Sequence, residues 1–337
     1  RQEWIFFCKK MLDKAVGLVY YFFVINIYSY LNIMHIIRCF KALADETRIR
    51  LYHLLLHYEF SVNEIVQVME MGQSRISRHL KVLSDSGLLL SRRHGSYVYY
   101  QGGRSRDLHH LTEFILQWAR EQEVFNADLE RAQRIFEERK ERTRLFFNSV
   151  ADHWELLKRE ILGDFDLSKT VQHWAPYCEV AVDLGCGTGD DLLQLTSLAQ
   201  KVIGVDSSLK MLDRTRNRLK GSRSNIELRL GELEHLPLSD QEADLAVSNM
   251  VLRHVAEPML GLREVKRILR PGGLFILADF DLHEREEVRK KYGGIWLGFG
   301  RGQLQDWLQQ AGFSVQELQQ HQVRQDLKIN ILVSSLG

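Results

Sequence analysis

Asp183 ends an apolar run, VAVD, and is followed at alternate positions by Gly185, Gly187 and Gly189. Glycines spaced in this way leave a turn without side chains, so the main chain can approach a bound molecule closely. A dinucleotide fingerprint requires glycine at position 190, where Asp190 stands, and GxGxxG therefore fails. A second acid, Asp206, closes the next apolar run, KVIGVD. A carboxylate at a strand tip accepts hydrogen bonds from both hydroxyls of a ribose. His254 and His283 follow two later runs and are the candidates for a general base, although His254 reads equally as a packed structural residue. A different chemistry is written nearer the start. Between residues 75 and 94 stand Arg75, Arg78, Lys81, Arg92 and Arg93, with Asp85 as the acid among them, in a chain whose net charge is +1. Such a local excess of cations is the footprint of phosphate contact.

Two kinds of element are needed to position these residues. A chain of 337 residues accommodates two domains. All four prolines lie beyond residue 175, so the first half is expected to be mainly helical. From residue 178 short apolar runs alternate with helical patterns, which predicts βαβ units on a parallel sheet. In the first half, Ile37, Phe40, Leu43, Ile49, Leu51 and Leu54–Leu56 form an apolar stripe interrupted near Asp45, which predicts two helices. Ser61 and Glu64 have the spacing of a capping box for a third. After a turn at Met71-Gly72 a fourth helix places Ile76, Leu80 and Leu83 inward and Ser74, Arg75, Ser77 and Arg78 outward. Gly87 is the expected left-handed cap of that helix, and LLLSRRHGSYVYYQ reads as a hairpin. Residues 128–144 are densely charged and read as a solvated linker helix.

Four cysteines are scattered without a CxxC pair, so no metal site is expected and a reducing cytoplasm fits best. The apolar stretch 15–34 contains Asn26, Ser29 and Asn32, and its composition resembles translated AT-rich DNA. Residues 1–33 are accordingly expected to be an extension outside the native fold, with a membrane anchor or a packing helix as alternatives. No membrane partner is otherwise expected.

FKALADETRIRLYHLL, QSRISRHLKVLSDSGLL and SRRHGSYVYYQ together resemble the ArsR family of winged helix-turn-helix regulators. The resemblance implies that Ser74, Arg75, Ser77 and Arg78 approach bases and phosphates of a double-stranded DNA operator, and that Arg92 and Arg93 hold its backbone from the wing. It also implies a homodimer formed through the Ile36 region and residues 107–122, reading a two-fold operator. Soft-metal sensing is not expected, because the helix SVNEIVQVM carries no cysteine, and Asp107, His109 and His110 read as surface or interface residues.

VAVDLGCGTG resembles the first motif of class I methyltransferases, and GELEHLPL, DLAVSN and EVKRILRPGGLFILADF follow in the order of that family's small-molecule, type 11 group. The fold so implied is α/β, a Rossmann-like doubly wound sheet, preceded by a mainly helical winged helix-turn-helix domain. The domains are then 34–105 for DNA binding, 106–145 for dimerisation and linking, and 146–337 for the methyltransferase. S-adenosylmethionine is the implied cofactor, held by Asp183, Gly185, Gly187, Gly189, Asp206, Ser207, Met211, Glu232, Leu233 and Asn249. The segment 281–299 is expected to roof the acceptor pocket with His283, Trp296 and Phe299, although Trp296 and Phe299 read at least equally as core residues.

No Asn/Asp-Pro-Pro-aromatic motif follows DLAVSN and no Pro-Cys pair is present, which disfavours methylation of DNA bases. Scattered thiols disfavour arsenite as acceptor. The expected protein is a transcriptional regulator fused to a methyltransferase acting on a small molecule. Two rivals stay open: a repressor that senses S-adenosylmethionine or S-adenosylhomocysteine without turnover, and an enzyme whose winged helix only dimerises it.

Overall fold

The structure, a computed structural model, describes residues 33–95, 97–103, 108–220 and 225–337. The expectations for residues 1–32, Ser96 and Asp107 lie outside the described residues. The chain divides into two compact units, the first reaching Gln133 and the second running from Arg134 to Gly337.

In the first unit, helix α1 covers 33–43 and α2 covers Glu46–His57. They part at Asp45, whose side chain accepts from the Arg48 amide at 3.0 Å and caps α2. Cys39, Ala42 and Leu43 take the inward face of α1, so Ile37 and Phe40 are exposed rather than part of the buried stripe. Strand β1 (Phe60–Ser61) leads into α3 (Val62–Met69), whose capping box is formed from both sides by Ser61 and Glu64. The left-handed residue after α3 is Glu70, at φ 51°, not Gly72. Helix α4 (Gln73–Asp85) buries Ile76, Leu80 and Leu83 completely and is followed by Gly87 at φ 83°. Strands β2 (Leu89–His94) and β3 (Tyr97–Gly102) make the hairpin, and β1 joins it through Phe60 opposite Tyr100.

Helix α5 (His109–Ala119) precedes α6 (Glu123–Val150), a single helix of 28 residues. The expected solvated linker is not what forms. Asp128 is buried and accepts both arms of the Arg50 guanidinium at 2.8 Å, while Ala132, Phe136 and Arg139 are buried further along α6. The boundary between units therefore falls inside α6, because its dense charge is offset by a buried stripe.

The second unit continues with α7 (Trp154–Leu162), α8 (Ser168–Trp174), β4 (Cys178–Leu184), α9 (Leu192–Leu195), β5 (Ala199–Asp206), α10 (Leu209–Arg218), β6 (Ile226–Leu230) and β7 (Ala243–Asn249). A short 3-10 turn (Leu252–His254) leads to α11 (Pro258–Ile268), β8 (Leu269–Phe280), α12 (Glu286–Lys291), α13 (Arg301–Ala311), β9 (Phe313–Gln322) and β10 (Lys328–Leu336). The sheet runs β6-β5-β4-β7-β8-β10-β9, a class I methyltransferase, Rossmann-like order. It is mixed rather than wholly parallel, since β10 pairs antiparallel with both neighbours. The connection from β9 to β10 is far too short for a helical crossover, so the chain has to reverse. Val182, Ile203, Ala246 and Ile276 are fully buried in the central strands and hold β4, β5, β7 and β8 with their carboxyl ends on one edge. In open α/β sheets that edge is where ligands bind.

Candidate functional site

The three loop glycines of the second unit all have positive φ: 70° at Gly185, 53° at Gly187 and 82° at Gly189. A Cβ at Gly185 would lie 2.5 Å from the Val251 side chain, and one at Gly189 would lie 2.7 Å from Thr215. Side chains are thus excluded twice, by backbone angle and by space. The loop is tied to the second acid, for the Gly187 amide donates to Asp206 Oδ2 and the Ser208 amide to Oδ1, both at 2.8 Å. Asp206 remains partly open to the cleft, yet desolvation pushes its carboxyl up to about 6.

Asp183, buried at the end of β4, keeps Oδ2 without a hydrogen-bond partner among the described residues. Burial, reinforced by the nearby Asp191 carboxylate, raises its pKa well above the ordinary range. An orphaned buried acceptor is costly, and a cationic donor such as an amino acid ammonium would satisfy it. Asn249 donates to Asp191 Oδ2 at 2.9 Å while its own Oδ1 is likewise unpartnered.

Most of these groups line one cleft, which encloses about 1190 Å³ including the part open to solvent. Of the residues expected to hold a cofactor, Gly185, Gly187, Asp206, Ser207, Met211, Glu232, Leu233 and Asn249 line it, whereas Asp183 and Gly189 are not among its lining residues. His254 lines it as well. Its Nδ1 is 3.0 Å from the Gly293 carbonyl, which only accepts, so Nδ1 carries the proton and Nε2 presents a lone pair. Nε2 is buried and unpartnered, and burial holds the imidazole pKa well below its ordinary value.

His283 is not brought to the cleft. Its Nδ1 accepts from the Arg285 amide at 3.1 Å and its ring lies 5.6 Å from that of Phe280, with desolvation lowering its pKa to about 4. Trp296 and Phe299 are also not a roof. Both are fully buried core residues, and the Trp296 indole donates to the Val255 carbonyl at 2.8 Å.

The walls that sequence reasoning missed come from Lys140, Thr143, Arg144 and Phe147 of α6, Trp154 and Lys158 of α7, and Tyr292. Lys140 pairs with Glu232 at 2.8 Å, and the Phe147 ring stands 4.8 Å from His254 and 5.2 Å from Trp154. Lys140 and Phe147 stand seven residues apart on α6, a helical spacing that marks one face, but the surrounding charges mask it.

In the first unit the outer face of α4 leaves Ser74, Arg75, Ser77 and Arg78 exposed. Arg93 is exposed on β2, whereas Arg92 is half-buried, pairs with Glu59 through both Nε and Nη2 at 2.5 and 2.9 Å, and lies over the Tyr99 ring. Among the described residues no cluster of three or more metal-ligating side chains occurs, and no helix is long and apolar enough to cross a membrane.

Residues 182–277 match the family model "Methyltransferase domain", and residues 45–91 match "Bacterial regulatory protein, arsR family". An uncharacterized 37.1 kDa protein in a transposon of Streptomyces fradiae is 42% identical over 106 residues, 31% of this chain and 30% of that protein. An arsenite methyltransferase of Halobacterium salinarum is 36% identical over 105 residues, 30% of this chain and 27% of that one. A demethylmenaquinone methyltransferase of Symbiobacterium thermophilum is 31% identical over 180 residues, 48% of this chain and 68% of that protein. The chain thus spans less than a third of the first two relatives.

Proposed function

Since the chain belongs to the class I S-adenosylmethionine-dependent methyltransferases, with an arsR-family regulatory domain ahead of that fold, we propose that it is a DNA-binding regulator that also methylates a small molecule. The observation that carries this reading is the glycine turn beside orphaned Asp183, fastened to Asp206 by the Gly187 amide. S-adenosylmethionine, when bound, supplies a methyl group on a sulfonium, whose departure leaves a neutral thioether. Asp206 receives ribose hydroxyls, Asp183 faces the ammonium, and Glu232 with Leu233 flanks the purine.

His254 acts on the acceptor. Its tautomer, fixed by Gly293, directs the Nε2 lone pair at an acidic hydrogen of the nucleophile, and its low pKa keeps that lone pair free at neutral pH. Such a base contributes roughly 10²- to 10⁴-fold, and alignment in the closed cleft supplies on the order of 7 to 11 kcal/mol. The Halobacterium relative's name raises arsenite as an acceptor. Here Cys186 lines the cleft, while Cys178 begins β4 at the opposite end and Cys39 belongs to the first unit. Among the described residues one thiol faces the cleft, which favours an organic acceptor over a metalloid held by several thiolates.

The exposed α4 face supports a DNA contact through Ser74, Arg75, Ser77 and Arg78, with Arg93 on the backbone and Arg92 stiffening the wing through Glu59. Exposed Ile37 and Phe40 on α1 and Phe114 and Trp118 on α5 support a homodimer. The reading is tested on the full chain by calorimetry with S-adenosylmethionine and S-adenosylhomocysteine and by titration of duplex DNA from upstream of its own gene. Binding of both nucleosides and of the duplex is expected. Absence of nucleoside binding overturns the catalytic half, and DNA affinity indifferent to sequence overturns the regulatory half.

A further inference from the structure

We infer that the acceptor is an acid, an organic molecule whose carboxylate or phenolate oxygen is held by Arg253 at the acceptor end of the cleft. The inference rests on the methyltransferase reading above. It begins from an arginine that is only 4% exposed and yet lines the cleft.

Arg253 lies in the turn after β7, beside the end of β8, two strands from Asp206 in the order β5-β4-β7-β8. A guanidinium has five N–H donors in a planar fork. Here Nη1 reaches Asp279 Oδ1 at 3.4 Å, and the cation sits 4.7 Å from the Phe280 ring centroid. The Asp279 contact is the side-chain hydrogen bond Arg253 makes among the described residues, and since neither Nε nor Nη2 is a buried unpartnered atom, its remaining donors open on the cleft. Asp279 is not a fork-to-fork counterpart. Its Oδ2 accepts from the Arg253 amide at 2.9 Å and its Oδ1 from the Phe280 amide at 2.8 Å, so the carboxylate mainly caps main chain.

The pair Arg50–Asp128 in the first unit shows what a closed, structural arginine looks like in this chain, with two contacts of 2.8 Å. By that standard Arg253 is under-used. Its donors that open on the cleft are available to a ligand, and a planar oxyanion is the group that fits a guanidinium fork. The adjoining surfaces agree, because the neighbouring His254 offers an unpartnered Nε2, and Phe147 and Trp154 give an aromatic wall. An acid seated on Arg253 would therefore present its reactive hydrogen to His254 while its flat body lies against Phe147.

The test uses the full chain saturated with S-adenosylhomocysteine and matched probes, benzoate against benzamide and 2-naphthoate against 2-naphthamide, followed by saturation-transfer NMR and calorimetry. The acids are expected to bind at least tenfold more tightly than the amides. Arg253→Met should remove that preference while S-adenosylhomocysteine affinity changes by less than about twofold, and Arg253→Lys should retain part of it. Because Arg253→Met strands a buried Asp279, the double variant Arg253→Met/Asp279→Asn is measured alongside, and it too should bind acid and amide alike. Equal binding of acid and amide to the native chain, binding of neither, or an acid preference that survives both variants overturns the inference. Failure of S-adenosylhomocysteine itself to bind is a separate result that removes the methyltransferase reading first.

Discussion

The two units place their charges in opposite ways. In the first, Arg75 and Arg78 stand exposed on α4 above the fully buried Ile76 and Leu80, so the proposed DNA contact would rest on solvated cations on a packed scaffold. In the second, Asp183, Asp279 and Arg253 are buried around the cleft, and two of the carboxyls near it, Asp183 and Asp206, have pKa values raised chiefly by desolvation. Exposed cations act on a polyanion over distance and are screened by salt. Buried ionisable groups act only at contact, and their cost is met when a ligand completes them. On the proposed reading the chain separates long-range capture from short-range positioning.

The sharpest way to break this contrast is Asp206→Ala. Removal of a carboxylate that fixes the Gly187 amide, and that is proposed to receive the ribose, should weaken S-adenosylmethionine by at least about a hundredfold, since hydrogen bonds to charged groups are worth roughly 1.5 to 3 kcal/mol each. DNA affinity should be unaffected. Calorimetry showing native cofactor affinity would return Asp206 to a purely structural role.

A milder perturbation is pH. The Asp206 carboxyl, pushed up to about 6 by desolvation, is ionised above that value and protonated below it. Its raised pKa favours the protonated folded state at low pH, so the fold gains from this group as pH falls. Cofactor binding runs the other way, because the protonated carboxyl accepts hydrogen bonds poorly. Affinity is expected to be level at pH 7 to 8 and to fall by up to about tenfold per pH unit below about 6. A profile that stays flat down to pH 5 would show that the ribose does not depend on this carboxylate.

The same contrast explains what could be read from the letters. The α4 face lies within one helix, so the spacing of Ile76, Leu80 and Leu83 fixes where Arg75 and Arg78 point. Gly185, Gly187 and Asp206 could be singled out because they stand at or just beyond the ends of β4 and β5, and the structure places all three on the cleft. The walls of the cleft could not be. Lys140 belongs to the stretch 128–144 whose charge suggested solvation, and Phe147 and Trp154 follow directly after it, where nothing in the sequence marked them as cleft walls. Trp296 and Phe299 were drawn to the pocket by their aromaticity, and instead fill the core because the chain folds back at Gly298, φ 118°, against the end of β8. Reversal of β10 followed from a loop length that apolar periodicity does not register.

Within the first unit, two neighbouring kinds of arginine can be set against each other. Arg78→Ala should weaken operator binding by about 1 to 3 kcal/mol and lower the salt slope by about one. Arg92→Ala should change DNA affinity less and destabilise the wing more, because Arg92 is already engaged with Glu59 and packed over Tyr99. Fluorescence anisotropy of labelled duplex across a salt series reads both. Equal losses in the two variants would mean that the Glu59 pair opens on DNA.

The smallest effect isolates folding from recognition. Ser61 caps α3 while Glu64 returns a carboxylate to the Ser61 amide at 2.9 Å, so two of the N–H groups at the helix start find partners. Ser61→Ala should cost about 1 kcal/mol, confined to the helix pair α3 and α4 that presents Arg75 and Arg78. Hydrogen exchange should therefore quicken about fivefold at α3 amides, the ratio that 1 kcal/mol sets, while S-adenosylmethionine affinity stays native. If the cofactor site loosened by the same factor, the two units would not be energetically separate, and the division of labour between exposed and buried charge would have to be argued for the chain as a single cooperative body.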